Sequence, residues 1–286
     1  MQSELFPLIG KKTYVMGILN LTQNSFSGDG LLKKEHPLSA ALAQAEKFIT
    51  DGADLLDLGA ESTRPGAKEV SAQEELSVLL PVLSALKKAG VTIPISIDTY
   101  KSEVAEACLA QGARMINDVW GFKKDPAMAA VIARYQASAV LMHNVQKKIQ
   151  TQKTELGGRY VGVQFKNILK TVKKGLSESI ALAKAAGIAD ERLLIDPGIG
   201  FGKTTEHNLE LLKKLDDLCD LGYPILLGIS RKSFIGYTLD LPPEDRLEGS
   251  LAANAYGILH GAGIVRVHDV RQTVRLARML DAIRNA

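Results

Sequence analysis

The sequence predicts a single-domain α/β protein, a (β/α)8 TIM barrel, and three observations support this fold. Eight short apolar runs recur along the 286 residues, helix-length segments separate them, and each run ends at or near a polar residue or a glycine. Continuous apolar runs are typical of parallel strands that are buried on both faces. A parallel barrel brings the carboxyl ends of its strands to one face, where such barrels carry their active sites. A doubly wound open sheet is the structural alternative.

The predicted strands are short, and a polar residue or a glycine stands at or just after the end of each. They are Tyr14–Leu19, Ala53–Leu58, Pro94–Asp98, Arg114–Asp118, Ala139–His143, Leu193–Asp196, Ile225–Ser230 and Gly263–His268. The segments between them have helical spacing of apolar residues, most clearly in Pro37–Asp51 and Val161–Gly187. Glycines follow several predicted helix ends, as helix C-caps often do, namely Gly90, Gly112, Gly187 and Gly261.

Three long connections are predicted on the face that would carry the site. They are Thr22–Glu35 after the first strand, Thr63–Ser71 after the second and Asn144–Tyr160 after the fifth. Long loops at this face of a barrel often act as lids. The chain is slightly longer than the roughly 250 residues of one such barrel. We therefore expect one domain over residues 1–286, with the barrel proper at about 13–284.

Composition argues against several classes of protein. The chain is 46% hydrophobic and 23% charged, as soluble globular proteins are. A formal charge of +3 and 5% aromatic residues do not suggest nucleic-acid binding, whereas a mild basic excess suits a small anionic substrate. No apolar run is long enough to span a membrane, and the first residues lack a secretory apolar region. We expect a cytoplasmic protein in which Cys108 and Cys219 are reduced and buried.

Basic residues end the seventh and eighth predicted strands. Arg266 and His268 are two residues apart and therefore share one face of a strand, as do Ser230 and Lys232. Two cationic groups on one face can bind a phosphate or diphosphate. The structural alternative is that Arg266 extends to solvent, His268 caps the next helix and Lys232 is a solvated charge.

Two carboxylates and an amide end the third, fourth and sixth predicted strands. Asp98, Asn117 and Asp196 would converge at the barrel opening and offer hydrogen bonds to a nitrogen-rich heterocycle. A pair of metal ions is the alternative, although no His-x-His or Glu-x-x-His spacing supports it. The stretch from Asp196 to Thr204 resembles a phosphate-binding P-loop, but Pro197 stands where that motif needs its first glycine.

Eight motifs, taken in order, resemble those of the dihydropteroate synthases, a family of pterin-binding enzymes in folate biosynthesis. They are Met16–Asn20, Glu61–Gly66, Ile97–Thr99, Ile116–Asp118, Leu194–Gly198, Gly200–Lys203, Ser230–Ser233 and Arg266–Asp269. The resemblance implies a barrel that condenses 6-hydroxymethyl-7,8-dihydropterin diphosphate with p-aminobenzoate to give 7,8-dihydropteroate and diphosphate. It also implies assistance by Mg2+, inhibition by sulfonamides and a homodimer formed by outer helices near the C-terminus.

The resemblance carries roles onto matching positions of this chain. Catalysis is implied for Asp98, Lys232, Arg266 and His268. The pterin would bind Asp98, Asn117, Asp196 and Lys232. The diphosphate would bind Asn20, Thr63, Arg266 and His268, with Asn20 also holding Mg2+. The p-aminobenzoate would bind Asp29, Thr63, Arg64, Pro65, Phe201, Lys203, Ser230 and Lys232.

The chain departs from the family pattern in its first loop. The usual Thr-Pro-Asp-Ser-Phe-Ser-Asp is replaced by a sequence with Gln23, Asn24 and Gly28, and the second acid moves to Asp29. Two other functions remain open from the sequence. One is a methyltetrahydrofolate-dependent methyltransferase on the same barrel, which would not need the basic strand ends. The other is a pterin-binding protein without catalytic activity.

Overall fold

A computed structural model describes residues 5–22, 37–62, 69–145 and 149–286, and its eight-stranded barrel confirms the predicted fold class. The barrel strands are β1 (Tyr14–Asn20), β2 (Leu55–Gly59), β3 (Ile95–Asp98), β4 (Met115–Asp118), β5 (Ser138–Met142), β8 (Leu193–Asp196), β9 (Ile225–Gly228) and β10 (Ala262–Val267). All neighbouring pairs are parallel, and β10 pairs with β1 to close the barrel.

Helices surround the barrel and alternate with its strands. They are α1 (Pro37–Thr50), α2 (Ala72–Lys88), α3 (Ser102–Ala110), α4 (Met128–Tyr135), α5 (Ile168–Ala185), α6 (Thr205–Lys213), α7 (Ser233–Leu239), α8 (Leu247–Leu259) and α9 (Val270–Arg284). Short 3-10 helices cover Asp190–Arg192, Asp216–Leu221 and Pro243–Asp245. All four predicted cap glycines have positive φ.

The two larger apolar clusters of the described residues stabilise the barrel, one outside it and one inside. The outer cluster lies between strands and helices, and it packs so closely that a Cβ added to Gly17 would lie 2.7 Å from the ring of Phe48. The inner cluster fills the lumen with Tyr14, Met16, Leu55, Met115, Val140, Leu194, Leu226 and Ile264. Phe6 closes the cluster from the N-terminal side, with its ring 5.0 Å from that of Tyr14. The lumen is therefore a packed core.

The connection after β5 differs from the predicted loop. Part of it forms an antiparallel hairpin of β6 (Thr151–Thr154) and β7 (Gly157–Tyr160). The hydroxyl of Tyr237 on α7 donates to the carbonyl oxygen of Gly157 over 2.8 Å, which joins the hairpin to the barrel. Alternating polar residues with few large apolar side chains gave this hairpin a weak sequence signal, and its contact with α7 is tertiary.

Two further predictions, on the burial of the cysteines and on membrane-spanning segments, can be compared with the described residues. Cys108 is buried as expected, but Cys219 is exposed, because the 3-10 helix Asp216–Leu221 turns its side chain to the surface. Across the four described ranges, no helix is long and apolar enough to cross a membrane.

Candidate active site

Polar side chains replace apolar ones one step above the packed lumen. Side chains two residues apart on a strand share a face, so Asp57, Asn117, Asp196 and Arg266 follow Leu55, Met115, Leu194 and Ile264 into the barrel interior. We call these four residues the polar layer. They form the floor of an opening at the carboxyl ends of the strands, which we call the mouth.

Arg266 is held between two carboxylates. Its Nε donates to Asp57 Oδ2 over 2.6 Å, and a terminal nitrogen donates to Asp98 Oδ2 over 2.9 Å. Asn117 Nδ2 donates to the same Asp57 oxygen over 3.2 Å. Burial would lower the pKa of Arg266, but Asp57 and Asp98 raise it, so the guanidinium stays charged. The sequence alternative in which Arg266 extends to solvent is therefore wrong.

The pKa of the Asp98 carboxyl is strongly shifted, because the group is largely buried and lies among other charged groups. Burial raises the pKa of Asp98 to about 7, Arg266 opposes the shift and Asp57 adds to it. Burial likewise raises the pKa of Asp196, against the effect of Lys232 and of the Gly198 N–H, which donates to Asp196 Oδ1 over 2.7 Å. Perturbed carboxylates in a cleft are typical of functional sites.

Lys232 lies beside Asp196 and over an aromatic ring. Its Nζ is 4.6 Å from the ring centroid of Phe201, and it donates to the carbonyl oxygen of Ile199. Burial lowers the pKa of Lys232 to about 8, with Asp196 opposing the shift and Arg266 adding to it. The structure thus brings together a cation, a carboxylate and a partly exposed aromatic face at one side of the mouth, and Lys232 is not a solvated surface charge.

Ser230 and His268 meet across the ends of β9 and β10. The Ser230 hydroxyl lies 3.1 Å from His268 Nδ1 and accepts from the backbone N–H of His268 over 3.3 Å. The intervening Arg231 turns away from the mouth, with φ of +56°, and makes a two-bond ion pair with Asp269. This pair anchors the loop that presents Ser230 and Lys232.

Lys203 is turned inward onto the backbone. Its ammonium donates to the carbonyl oxygens of Gly198 over 2.8 Å, Phe201 over 3.0 Å and His143 over 3.3 Å. Burial lowers the pKa of Lys203 to about 7, with Asp196 opposing. The side chain is 2% exposed, so the Gly-rich stretch folds around its own lysine and does not present it as a P-loop does. A contact between Lys203 and p-aminobenzoate stays a prediction.

Of the remaining predicted site residues, Asn20 lies within the ranges that the structure describes and the others lie outside them. Asn20 ends β1 at the mouth, in register with Gly59, which is in register with Asp98. The predictions for Asp29, Thr63, Arg64 and Pro65, and the departures at Gln23, Asn24 and Gly28, lie outside the described residues. Within the described ranges, no three His, Cys, Asp or Glu side chains are grouped to hold a metal ion.

Asp57 is the site residue that the sequence motifs did not single out. It is fully buried and sits in an otherwise apolar strand, between Leu56 and Leu58. A single charge inside such a strand, on the inward face, was the signal that could have identified it, because a buried charge needs a partner.

Cationic and carboxylate side chains lie at the mouth of an α/β barrel, above a lumen that is packed with apolar side chains. This arrangement is typical of an enzyme that acts on small molecules. Comparisons with known proteins specify the class of enzyme. Residues 16–268 match the model of the family described as pterin binding enzyme. The dihydropteroate synthase of Clostridium beijerinckii is 46% identical over 96% of this chain and 96% of its own length.

Solved structures agree with these matches. The dihydropteroate synthase of Clostridium difficile, solved in the presence of pteroic acid, is 46% identical with a TM-score of 0.86, over 96% of this chain and 98% of that one. That of Xanthomonas albilineans, solved with 4-aminobenzoic acid, is 39% identical with a TM-score of 0.85, over 96% and 94%. The chain belongs to the dihydropteroate synthases, which are transferases of folate biosynthesis. Neither alternative function drawn from the sequence fits these relatives.

Proposed function

We propose that this protein condenses 6-hydroxymethyl-7,8-dihydropterin diphosphate with p-aminobenzoate, forming 7,8-dihydropteroate and diphosphate. The observation that carries the proposal is the mouth itself, where Arg266 and Lys232 stand among Asp98, Asp196 and Asn117. Relatives solved with pteroic acid and with 4-aminobenzoic acid support the choice of substrates. Small anionic substrates also suit the mild basic excess of the chain.

The pterin would occupy the carboxylate side of the mouth. Asp196 and Asn117 are 6% and 3% exposed, so their hydrogen bonds to a ring would form away from water. Burial makes such bonds selective, because a ring that lacks the matching donors leaves polar groups unpaired. Lys232 stands next to Asp196 and would add a donor to a ring heteroatom.

The diphosphate would lie where β1 and β10 end. Arg266 and His268 can donate to phosphate oxygens and stabilise the charge that develops as the carbon–oxygen bond breaks. Mg2+ commonly keeps several waters and binds one or two protein oxygens together with substrate phosphates. The partly exposed amide of Asn20 at the mouth fits that donor set. When bound, Mg2+ would neutralise leaving-group charge.

The reaction would proceed by departure of diphosphate before attack by the amine. The aromatic amine of p-aminobenzoate is a weak nucleophile, and the dihydropterin can delocalise a cation at its exocyclic carbon. Asp98 in its carboxylate form would stabilise that cation. The amine nitrogen then forms a bond to the carbon, and the resulting ammonium loses its proton to water. The Phe201 ring beside Lys232 would support the aminobenzoate, where a sulfonamide would also bind.

Diphosphate release tests the proposal directly. We expect wild-type protein to release one diphosphate per dihydropteroate when both substrates and Mg2+ are mixed. Sustained release should depend on p-aminobenzoate, because the amine captures the cation and completes each turnover. Lys232→Ala should lose nearly all turnover, because each charge-assisted hydrogen bond contributes about 1.5–3 kcal/mol. Lys213→Met, at an exposed position on α6, is the control and should retain wild-type rates. Turnover by Lys232→Ala at the wild-type rate would remove Lys232 from the site.

A further inference from the structure

The carboxylate of Asp57 lies on the floor of the mouth, and neither the motifs nor the family resemblance gives it a role. It is completely buried within β2. An isolated buried carboxylate is costly, and one that persists is paired and hydrogen-bonded. Its partners therefore indicate why a charge stands at this place.

Asp57 joins two strands that are not its neighbours. In the barrel order, β1 separates β2 from β10, and β3 separates β2 from β4. One oxygen of Asp57 nevertheless accepts from Arg266 on β10 and from Asn117 on β4. Only inward side chains can bridge in this way. The other oxygen, Oδ1, has no hydrogen-bond partner among the described residues.

Arg266 is shared unequally between its two carboxylates. Asp98 is 12% exposed at its side chain and faces the mouth, whereas Asp57 is 0% exposed beneath it. A ligand can therefore reach Asp98 but not Asp57. When a ligand binds Asp98, the bond between Asp57 and Nε still fixes the plane of the guanidinium, and with it the direction of the terminal N–H groups.

The same carboxylate selects the orientation of the Asn117 amide. An amide has one acceptor side and one donor side. Because the Asn117 nitrogen donates to Asp57, its oxygen faces the opposite direction and is available to an N–H donor. Without Asp57, both orientations of the amide would be populated.

We propose that Asp57 is a positioning residue of the transferase reaction, which fixes Arg266 toward the diphosphate and the Asn117 amide toward the pterin without touching either substrate. This inference rests on the proposed function for its substrates. The contacts of Asp57 with Arg266 and Asn117, from which the inference is drawn, do not depend on the proposed reaction.

Two substitutions of different severity test the role. Asp57→Asn keeps the shape and loses the charge, whereas Asp57→Ala loses both bonds. We expect Asp57→Asn to raise the KM for the pterin diphosphate about tenfold and Asp57→Ala to raise it about a hundredfold, since hydrogen bonds to charged groups contribute about 1.5–3 kcal/mol. The KM for p-aminobenzoate should change less than about twofold.

Asp118 provides the matched control. Like Asp57, it is a fully buried carboxylate on a barrel strand, but it accepts from the backbone N–H groups of Trp120 and Phe122 over 2.8 Å each. Asp118→Asn should lower the unfolding temperature and change both KM values by less than about twofold, since Asp118 acts on the mouth only through its weak effect on the pKa of Asp98. If the Asp57 variants behave like Asp118→Asn, Asp57 is a structural residue only and the inference is wrong.

A binding measurement separates this inference from the proposed reaction. Calorimetric titration with magnesium diphosphate reports on Arg266 without turnover, and Asp57→Ala should weaken that binding about tenfold or more. Unchanged affinity would overturn the inference even if the wild-type protein proved not to be a synthase. Failure of the wild type to release diphosphate, with weakened binding in Asp57→Ala, would overturn only the proposed reaction.

A double-mutant cycle gives a second readout. Asp57→Ala and Asn117→Ala should together raise the pterin KM by much less than the product of their separate effects, because the two residues share one hydrogen bond. Asp57→Ala with Ser230→Ala should be close to multiplicative, since Ser230 contacts His268 and not Asp57. Multiplicative effects in both cycles would contradict the inference.

Discussion

At the scale of single residues, the site contains two ionisable groups, Asp98 and Lys232, whose pKa values lie near neutral pH. Asp98 and Lys232 are oppositely charged, and burial moves their pKa values toward each other, to about 7 and about 8. A polar group in a low-dielectric place interacts strongly with whatever charge approaches it. An ionic ligand at the mouth would therefore favour one protonation state of each group.

These two shifts predict the pH dependence of the reaction. The raised pKa of Asp98 means that its carboxylate is lost as pH falls through about 7, and the lowered pKa of Lys232 means that its ammonium is lost as pH rises through about 8. We expect kcat/KM for the pterin diphosphate to follow a bell with these limbs, since this quantity reports the free enzyme. Asp98→Asn should remove the acidic limb and Lys232→Arg the basic one. A flat profile from pH 6 to 9 would contradict both assignments.

Removing the charge of Asp98 should mainly lower kcat, whereas removing the charge of Asp196 should mainly lower pterin affinity. Asp196 is 6% exposed and lies where the ring would bind, so Asp196→Asn should mainly weaken pterin binding. Asp98 would stabilise the developing cation, so Asp98→Asn should lower kcat more than affinity. Binding by calorimetry and steady-state kinetics together separate the two effects. Equal losses confined to affinity would exclude the dissociative mechanism.

At the scale of elements, the loop between β8 and α6 is shaped by one buried lysine. Lys203 satisfies three carbonyl oxygens, and Gly198 permits the close turn, because an added Cβ would lie 2.0 Å from the carbonyl oxygen of His143. The loop thereby fixes Phe201, whose ring lies next to Lys232. The loop's shape depends on contacts within itself and with the end of β5.

Removing this ammonium should disturb the aminobenzoate side of the mouth. Lys203→Met keeps the length of the side chain and removes one donor from each of three carbonyl oxygens, of which that of Gly198 still accepts from the Phe201 N–H. We expect the free energy of unfolding to fall by about 1–3 kcal/mol, and the KM for p-aminobenzoate to rise more than that for the pterin. Urea unfolding and kinetics measure the two effects. The control is again Lys213→Met, and a p-aminobenzoate KM equal to that of the control would contradict the role of Lys203.

At the scale of the whole molecule, an apolar surface near the C-terminus suggests self-association. Leu259 at the end of α8 is 66% exposed, and Met279 and Ile283 on α9 are 62% and 60% exposed. The two residues of α9 are four apart and therefore lie on one helical face. The resemblance implies a homodimer formed by outer helices near the C-terminus. The dimer stays a prediction, and these exposed residues are where we expect its interface.

Sedimentation measures the predicted dimer. We expect a mass about twice that of the 30.8 kDa chain, and Met279→Lys combined with Ile283→Lys should give monomers because charges would enter the interface. Leu182→Lys on α5, at a position 44% exposed, is the control and should stay dimeric. A wild-type protein that sediments as a monomer at micromolar concentration would exclude the dimer.

The strand positions could be predicted closely because each strand carries its own signal. Apolar runs bounded by polar residues located all eight barrel strands within a few residues, and their polar ends include Asp98, Asn117, Asp196 and Arg266, which the structure brings to the mouth. The hairpin of β6 and β7 and the surface position of Cys219 were not foreseen. Neither depends on local periodicity, since the hairpin contacts α7 and Cys219 lies where a helix stops early.

The sequence by itself determined the barrel, the face that carries the site and the family to which the chain is related. Alternating strand and helix patterns are local, and ordered motifs are visible without coordinates. Only the tertiary structure decided which charges meet: Arg266 with Asp57 and Asp98, Lys203 with three carbonyl oxygens, and Lys232 with Phe201. Such pairings join strands far apart in the chain. They depend on barrel closure and on burial, which strengthens charge interactions and shifts pKa values, and no local pattern encodes them.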